Sequence, residues 1–318
     1  MYHSSSLCKY YLEDDFNKAL TSNTNDSFSL CHLNVRSLQQ NFTSMQAFMA
    51  SLNIKFTILG ITETWLNDNN CNLFNIPNYK FIETHRTTRS GGGVGLYLPE
   101  NLRYKDRLDL NAFNETLECM FIEICADFLD ISKNIIIGII YRPPGADLKQ
   151  FNDVFNDVLS NIKAERKVCY LMGDWNVNLL NYDCHVHTTN AIDMFYSYGF
   201  MPLINRPTRI TNSSATIIDN IFTNNHSDLV NSFHGILICD ISDHFPIFHI
   251  NKSIKNVAQE LHIVKRSFTA QNREAFLSQL SGTNWTSLLH IRNAQEAFTS
   301  FHQNFCHLFD INFPKRKF

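Results

Sequence analysis

Between Phe28 and Ile250 the chain is divided into nine short apolar runs, each of strand length and most of them rich in β-branched residues. They cover residues 28–33, 56–61, 94–98, 117–125, 134–141, 168–172, 217–222, 236–239 and 245–250. Two segments between them carry helical spacing instead. One holds Met45, Phe48, Met49 and Leu52, and the other Leu148, Phe151, Val154, Phe155, Val158, Leu159 and Ile162. A third helical candidate, residues 191–198, runs into Gly199, a residue suited to stopping a helix. Many strands with few covering helices imply a layered α/β sandwich.

The edges of this pattern suggest boundaries. Residues 1–26 are polar, rich in Ser and Asn, and without periodicity, so a flexible leader is expected there. Residues 27–252 form the expected folded domain. Beyond it, residues 253–318 read as a helical extension, with Phe298, Phe301, Phe305 and Leu308 spaced at three and four. A formal charge of -3 announces no polyanion partner, so any nucleic-acid contact must be local. The nine Cys contain no C-x-x-C pair and suit reduced thiols, and Cys184-His185-Val186-His187 lacks a second pair at zinc-site spacing and reads as a polar loop. Without a signal-like N-terminus or an apolar stretch near the roughly 18 residues of a membrane span, the expectation is a soluble nuclear or cytoplasmic protein, neither secreted nor membrane-bound.

Polar residues cluster where the apolar runs end. Glu63 follows Thr57-Ile58-Leu59-Gly60-Ile61, so a buried strand would deliver a carboxylate to the sheet edge, where it suits a hard cation; a solvated acid is the competing reading. Asp174 and Asn176 are two apart after Val168–Met172, which on an extended chain puts both on one face, the acid to take a proton from water and the amide to orient it. An Asx turn closing the strand competes. Asp243 and His244 offer a carboxylate and an imidazole side by side, and Asp219, a charge inside the run 217–222, is the candidate to orient His244. A capping or core histidine is the alternative. Tyr141 and Arg142, locked into an extended exit by Pro143-Pro144, suit phosphate contact or plain surface packing. Arg86, Arg89 and Gly91-Gly92-Gly93 make a basic lead-in able to approach a nucleic-acid backbone, or a simple glycine turn; no Gly-Lys-Ser/Thr follows, so it is no P-loop.

With these positions in order, residues 28–250 resemble the endonuclease/exonuclease/phosphatase superfamily, and specifically the apurinic-like endonuclease domain of LINE-type non-LTR retrotransposons. The resemblance rests on Leu33-Asn34-Val35-Arg36-Ser37-Leu38, Glu63-Thr64-Trp65, Gly91-Gly92-Gly93-Val94, Tyr141-Arg142-Pro143-Pro144, Gly173-Asp174-Trp175-Asn176 and Ser242-Asp243-His244-Phe245-Pro246. It implies a deoxyribonuclease-I-like, four-layered α/β sandwich of two packed mixed sheets flanked by helices. It also implies Mg²⁺ or Mn²⁺ on Glu63, with Asn34 and Asp243 completing or supporting the metal site. Asp174 would activate water, Asn176 would position water or phosphate, and His244 paired with Asp219 would stabilise the transition state alongside Tyr141. The implied reaction nicks DNA to leave a 3′-hydroxyl, with Arg142, Arg86, Arg89 and Arg209 touching nucleic acid and the stretch Arg206-Pro207-Thr208-Arg209 leading into a groove-probing hairpin. Trp175 stands where the family usually has Phe. Residues 253–318 resemble the linker that precedes a reverse transcriptase in intact elements, so a truncated copy is expected. Two other expectations compete: a phosphoesterase on lipid or inositol phosphates, and a silent remnant that binds nucleic acid or protein.

Overall fold

The run Ile135–Tyr141 forms a strand whose alternate side chains serve different layers. Ile135, Ile137, Ile139 and Tyr141 join a core shared with Phe28, Leu30, Ile58, Val94 and Leu96. Ile136 and Ile140 belong to a separate cluster with Phe151, Phe155 and Leu159 of the helix Leu148–Glu165. The period of two along a strand thus sorts one apolar run between two cores.

This computed structural model describes residues 8–20, 27–87, 89–129, 131–255, 264–266 and 268–317. The chain divides into two compact units, Met1–Val257 and Ala258–Phe318. In the first unit two seven-stranded sheets carry the fold. One is ordered Lys9–Tyr11, Phe233–Leu237, Ile247–Lys255, Ser27–Asn34, Ile58–Thr62, Val94–Pro99, Tyr79–Thr84. The other runs Met201–Pro202, Asp219–Thr223, Val168–Asp174, Ile135–Tyr141, Glu118–Ile124, Tyr104–Asp106, with Ala112–Phe113 paired to Glu118–Ile124. Both are mixed: Ser27–Asn34 lies parallel to Ile58–Thr62, and Val168–Asp174 parallel to Ile135–Tyr141, while their other neighbours are antiparallel.

The helix Leu38–Ser51 covers the outer face of the first sheet, packing Leu38 and Met45 with Cys31, Leu33, Leu59 and Ile61. The helices Leu148–Glu165 and Val186–Ser197 cover the second. Two sheets face to face with helices outside make four layers, the architecture expected from the sequence. The sheets meet closely at Gly60, where a Cβ would fall 2.9 Å from both Ile139 Cδ1 and Met172 Cε. A larger residue there requires Ile139 and Met172 to repack.

Two expectations need correction. Residues 8–20 are no loose leader: Lys9–Tyr11 pairs in parallel with Phe233–Leu237, and the helix Glu13–Ala19 buries Phe16 completely. Residues 1–7 and 21–26 of the expected leader lie outside the described residues. The helix expected from residue 191 begins at Val186, so Val186 and His187 of the expected polar loop lie within it, while Cys184 and His185 precede it in a turn and loop, His185 Nδ1 pairing with Thr188 Oγ1 at 2.9 Å. The second unit holds the helices Ala270–Gly282, Thr286–Leu289 and Ala294–Asn312, with Phe276 set edge-on to Phe305 at 5.7 Å. All nine cysteines are free thiols, and among the described residues no helix is long and apolar enough to cross a membrane.

A buried polar group sits in the first unit away from the strand ends discussed below. Tyr170 Oη donates to Asp228 Oδ2 at 2.7 Å, Asn251 Nδ2 donates to Asp228 Oδ1 at 2.8 Å, and His249 Nε2 lies 3.5 Å from Asp228 Oδ2. Burial pushes His234 down to about 4 and His249 down to about 3, and pushes Asp228 up to about 6. Because the folded values of both histidines lie below the unfolded one, the unfolded chain binds protons first as pH falls. Their contribution is complete above pH ~6.5 and is lost as pH drops toward their folded values, at roughly 1.4 kcal/mol per pH unit per group. Asp228 has the opposite sign between its unfolded value and about 6 and offsets part of the loss. Between pH 7 and pH 4.5, denaturant unfolding should show His249→Leu losing about 3 kcal/mol less stability than the wild type; equal losses would contradict this assignment.

Candidate active site

The register of the two sheets brings the polar strand ends to one edge. Asn34 lies opposite Thr62, the residue before Glu63, while Asp174 lies opposite Tyr141 on one side and Asp219 on the other. Asn34 joins the sheets: its Nδ2 donates to Glu63 Oε1 at 2.9 Å and to Asp174 Oδ2 at 2.8 Å. Tyr141 Oη donates to the same Glu63 Oε1 at 3.2 Å, and Trp65 Nε1 donates to Glu63 Oε2 at 3.2 Å.

Asp174 accepts from the Asn176 backbone N–H through Oδ1 at 3.0 Å and from Asn176 Nδ2 through Oδ2 at 3.2 Å. The first bond is the Asx turn of the competing reading, and it coexists with the site because Oδ2 still faces Asn34. His244 Nδ1 pairs with Asp219 Oδ2 at 2.8 Å, and Thr208 Oγ1 donates to that oxygen at 2.7 Å. Among the described residues, ligand atoms of Asp174, Asp219 and His244 lie within 4.8 Å of one another, close enough to hold one ion.

Electrostatics separates the roles. Burial, then the neighbouring charge of Asp219, raises the Asp174 carboxyl to about 7 against the opposing pull of His244 and Asn34. Burial alone would raise Asp219 and lower His244, but each holds the other charged, so Asp219 lies below its ordinary value and His244 rises to about 9. Near neutrality the site therefore holds an imidazolium–carboxylate pair beside an acid poised to exchange a proton. Burial, then the charge of Glu63, raises the Tyr141 phenol and keeps it a donor.

The backbone at this edge is strained. Among the described residues seven non-glycine residues have positive φ, and five of them are Arg36, Ser37, Glu63, Trp65 and Asn176. Such conformations cost roughly 1–2 kcal/mol each and persist where the surroundings dictate them. For Glu63 the surroundings are the glycine turn. Trp65 N–H donates to Gly92 O at 2.9 Å, and Gly93 at φ 87° leaves no room for a Cβ, which would fall 2.3 Å from Thr64 Oγ1.

That turn has a different function from the one its sequence suggests. Gly93 N–H donates to Glu118 Oε2 at 2.6 Å, and Arg86 Nε donates to Glu118 Oε1 at 2.5 Å. Arg86 is thereby committed to a buried carboxylate instead of reaching nucleic acid, and the glycines brace Glu63. Arg142 also departs from expectation. It is buried, and its three nitrogens donate to the carbonyls of Trp175, Ala146 and Asn176 at 2.7, 2.6 and 2.6 Å, so it shapes the loop after Asp174 instead of touching phosphate. Arg89 is exposed, as a contact residue requires. Arg209 stands on the two-stranded hairpin Arg209–Ile210 and Ala215–Thr216, whose tip is exposed, but its guanidinium is paired with Asp243. Asp243 itself faces Arg209 and Arg36.

Sequence reasoning missed four supporting residues: Glu118, Thr208, His32 and Arg36. His32 is fully buried, bonded to Thr62 Oγ1 at 3.1 Å, with Nδ1 3.9 Å from Asp219 Oδ1. A charged or polar residue inside an apolar run was the available signal for Glu118 and His32, as it was for Asp219.

The carboxylate oxygens of Glu63 and Asp174 converge on either side of the Asn34 amino group, and carboxylate oxygens are the donors that suit a hard divalent cation. Residues 31–244 match the model of the Endonuclease/Exonuclease/phosphatase family. The chain belongs to that family. Family members are hydrolases of phosphoester bonds, and the two-sheet architecture is theirs. Among solved structures, the endonuclease domain of TRAS1, a telomere-specific non-LTR retrotransposon, is similar at 12% identity and TM-score 0.55, covering 72% of this chain and 99% of that one. AP endonuclease LMAP from Leishmania major is similar at 13% identity and TM-score 0.57, covering 77% and 92%. The catalytic domain of Xenopus laevis APE2 is similar at 14% identity and TM-score 0.54, covering 73% and 94%. No curated protein sequence matches this member of the family.

Proposed function

We propose that this family member is a divalent-cation-dependent DNA endonuclease derived from a non-LTR retrotransposon, cutting one strand to leave a 3′-hydroxyl. The observation that carries this reading is the amide of Asn34 bridging Glu63 and Asp174, beside an Asp219–His244 pair within ion-binding range of Asp174. The retrotransposon origin rests on the Tyr141-Arg142-Pro143-Pro144 step and the glycine turn in the sequence.

Glu63 would hold the cation, Mg²⁺ or Mn²⁺, with Asn34 and Asp243 the candidates to complete or support its site. When bound, the cation supplies charge stabilisation at the phosphate oxygens. Asp174 takes a proton from water as that water's oxygen bonds to phosphorus, and Asn176 orients the pair. The bond from phosphorus to the 3′ oxygen breaks and the leaving 3′ oxygen takes a proton from solvent water, giving a 3′-hydroxyl and a 5′-phosphate. His244, kept protonated by Asp219, donates to a non-bridging oxygen as charge builds there, with the Tyr141 hydroxyl as a second donor.

Supercoiled plasmid incubated with the full chain and Mg²⁺ should relax to open circles whose ends prime a DNA polymerase, and EDTA should abolish relaxation. Phosphate release from inositol phosphates without relaxation would replace this reading with the lipid and inositol one. DNA binding without turnover of either substrate would replace it with a silent remnant.

A further inference from the structure

Asp243 lies between two anchored residues, yet its own carboxylate is turned to arginines. Oδ2 accepts from Arg209 Nε at 2.8 Å and lies 2.7 Å from Arg209 Nη2, while Oδ1 lies 3.1 Å from Arg36 Nη1. On one side, Ser242 Oγ donates to the backbone oxygen of Asn34 at 2.7 Å; on the other, His244 is fixed on Asp219. Asp243 is therefore tied to the residue that bridges Glu63 and Asp174, with both its oxygens in ion pairs.

The two guanidiniums come from separate segments. Arg36 follows the strand Ser27–Asn34 at φ 45°, and Arg209 stands on the exposed hairpin. Their side chains are 57% and 39% exposed, against 24% for Asp243, so a ligand arriving from solvent meets the arginines first. A guanidinium fork fits a carboxylate and a phosphodiester by the same geometry. Oδ2, hydrogen-bonded to Arg209, is poorly placed to ligate a cation as well, while Oδ1 is buried without a hydrogen bond and has the Arg36 guanidinium in the way.

We propose that the Arg36–Asp243–Arg209 triad couples phosphodiester binding to divalent-cation binding: in the free protein the arginines occupy Asp243, and a phosphodiester that draws them away leaves this carboxylate for the cation. The ligand class rests on the phosphodiesterase reading above; the competition for Asp243 rests on the geometry alone. Such coupling is reciprocal, and typical values span about 5–150-fold.

Two measurements on the full chain test it. Mn²⁺ affinity, read from the electron paramagnetic resonance of free Mn²⁺, should tighten about tenfold in Arg36→Gln/Arg209→Gln, within that range. The gain should vanish when Asp243→Asn is added. Unchanged or weaker affinity in the double variant overturns the proposal, as does a gain that persists with Asp243→Asn, which would reflect only lost positive charge. In a second assay, fluorescence anisotropy of a labelled duplex in the Asp174→Asn background should show Mn²⁺ tightening duplex binding. That enhancement should fall toward one when both arginines are Gln, and an equal enhancement overturns the coupling. A protein that relaxes plasmid but fails both assays keeps its phosphodiesterase assignment and loses the triad.

Discussion

Replacing Asp174 by Asn is expected to slow cation-dependent phosphodiester cleavage by about 10²–10⁴-fold, the usual contribution of a positioned general base. The substitution keeps the side-chain volume at a fully packed position, so stability should change far less than rate. What disappears is an acceptor for a proton. The pH profile carries the same assignment: cleavage needs Asp174 ionised and His244 protonated, so the rate should rise through about 7 and fall through about 9. A cation beside Asp174 favours its anion and moves the rising limb lower. A variant that keeps more than a tenth of the wild-type rate would remove Asp174 from the role of base.

The second large effect is on stability. Trp175 lies between Asp174 and Asn176, and its ring is buried edge-on against Phe155, Phe195 and Phe222 at 5.5, 5.0 and 5.2 Å. Trp175→Ala should cost about 3–5 kcal/mol, the range for large aromatic truncations in a core. Cleavage should fall with it, because the same residue fixes the turn that presents both site side chains. Trp175→Phe should restore most of the stability, since Phe keeps the edge-to-face contacts. Urea unfolding of the three proteins decides the matter, and a loss below about 1 kcal/mol for Trp175→Ala would contradict the packing argument.

What could be read from the sequence follows from length scale. The apolar runs that became Ser27–Asn34, Ile135–Tyr141 and Val168–Asp174 are long enough to display their character, and polar residues at their ends stand out against it. Lys9–Tyr11 and Glu13–Ala19 escaped because a three-residue strand and a one-sided polar helix show no periodicity, and what anchors them, the pairing with Phe233–Leu237 and the packing of Tyr11 and Phe16, comes from distant segments. Partners far apart in the chain were equally hidden. Nothing local to Arg86 says that Glu118 awaits it 32 residues later, nor that Asp243 would be met by Arg209 and Arg36. Arg142 shows the limit of residue chemistry: a guanidinium binds phosphate or backbone carbonyls by the same N–H groups, and only the fold selects between them.

The central claim is that Asp174 and His244 serve one reaction at one cation-dependent site. Its most direct test is the Mg²⁺-dependent rate of plasmid relaxation for Asp174→Asn, His244→Ala and the double variant, prepared alongside the wild type. Residues acting as a unit give a double loss close to the larger single loss. That pattern is expected here, with each single variant slowed at least a hundredfold. Losses that multiply independently, or relaxation that survives in the double variant, would contradict it.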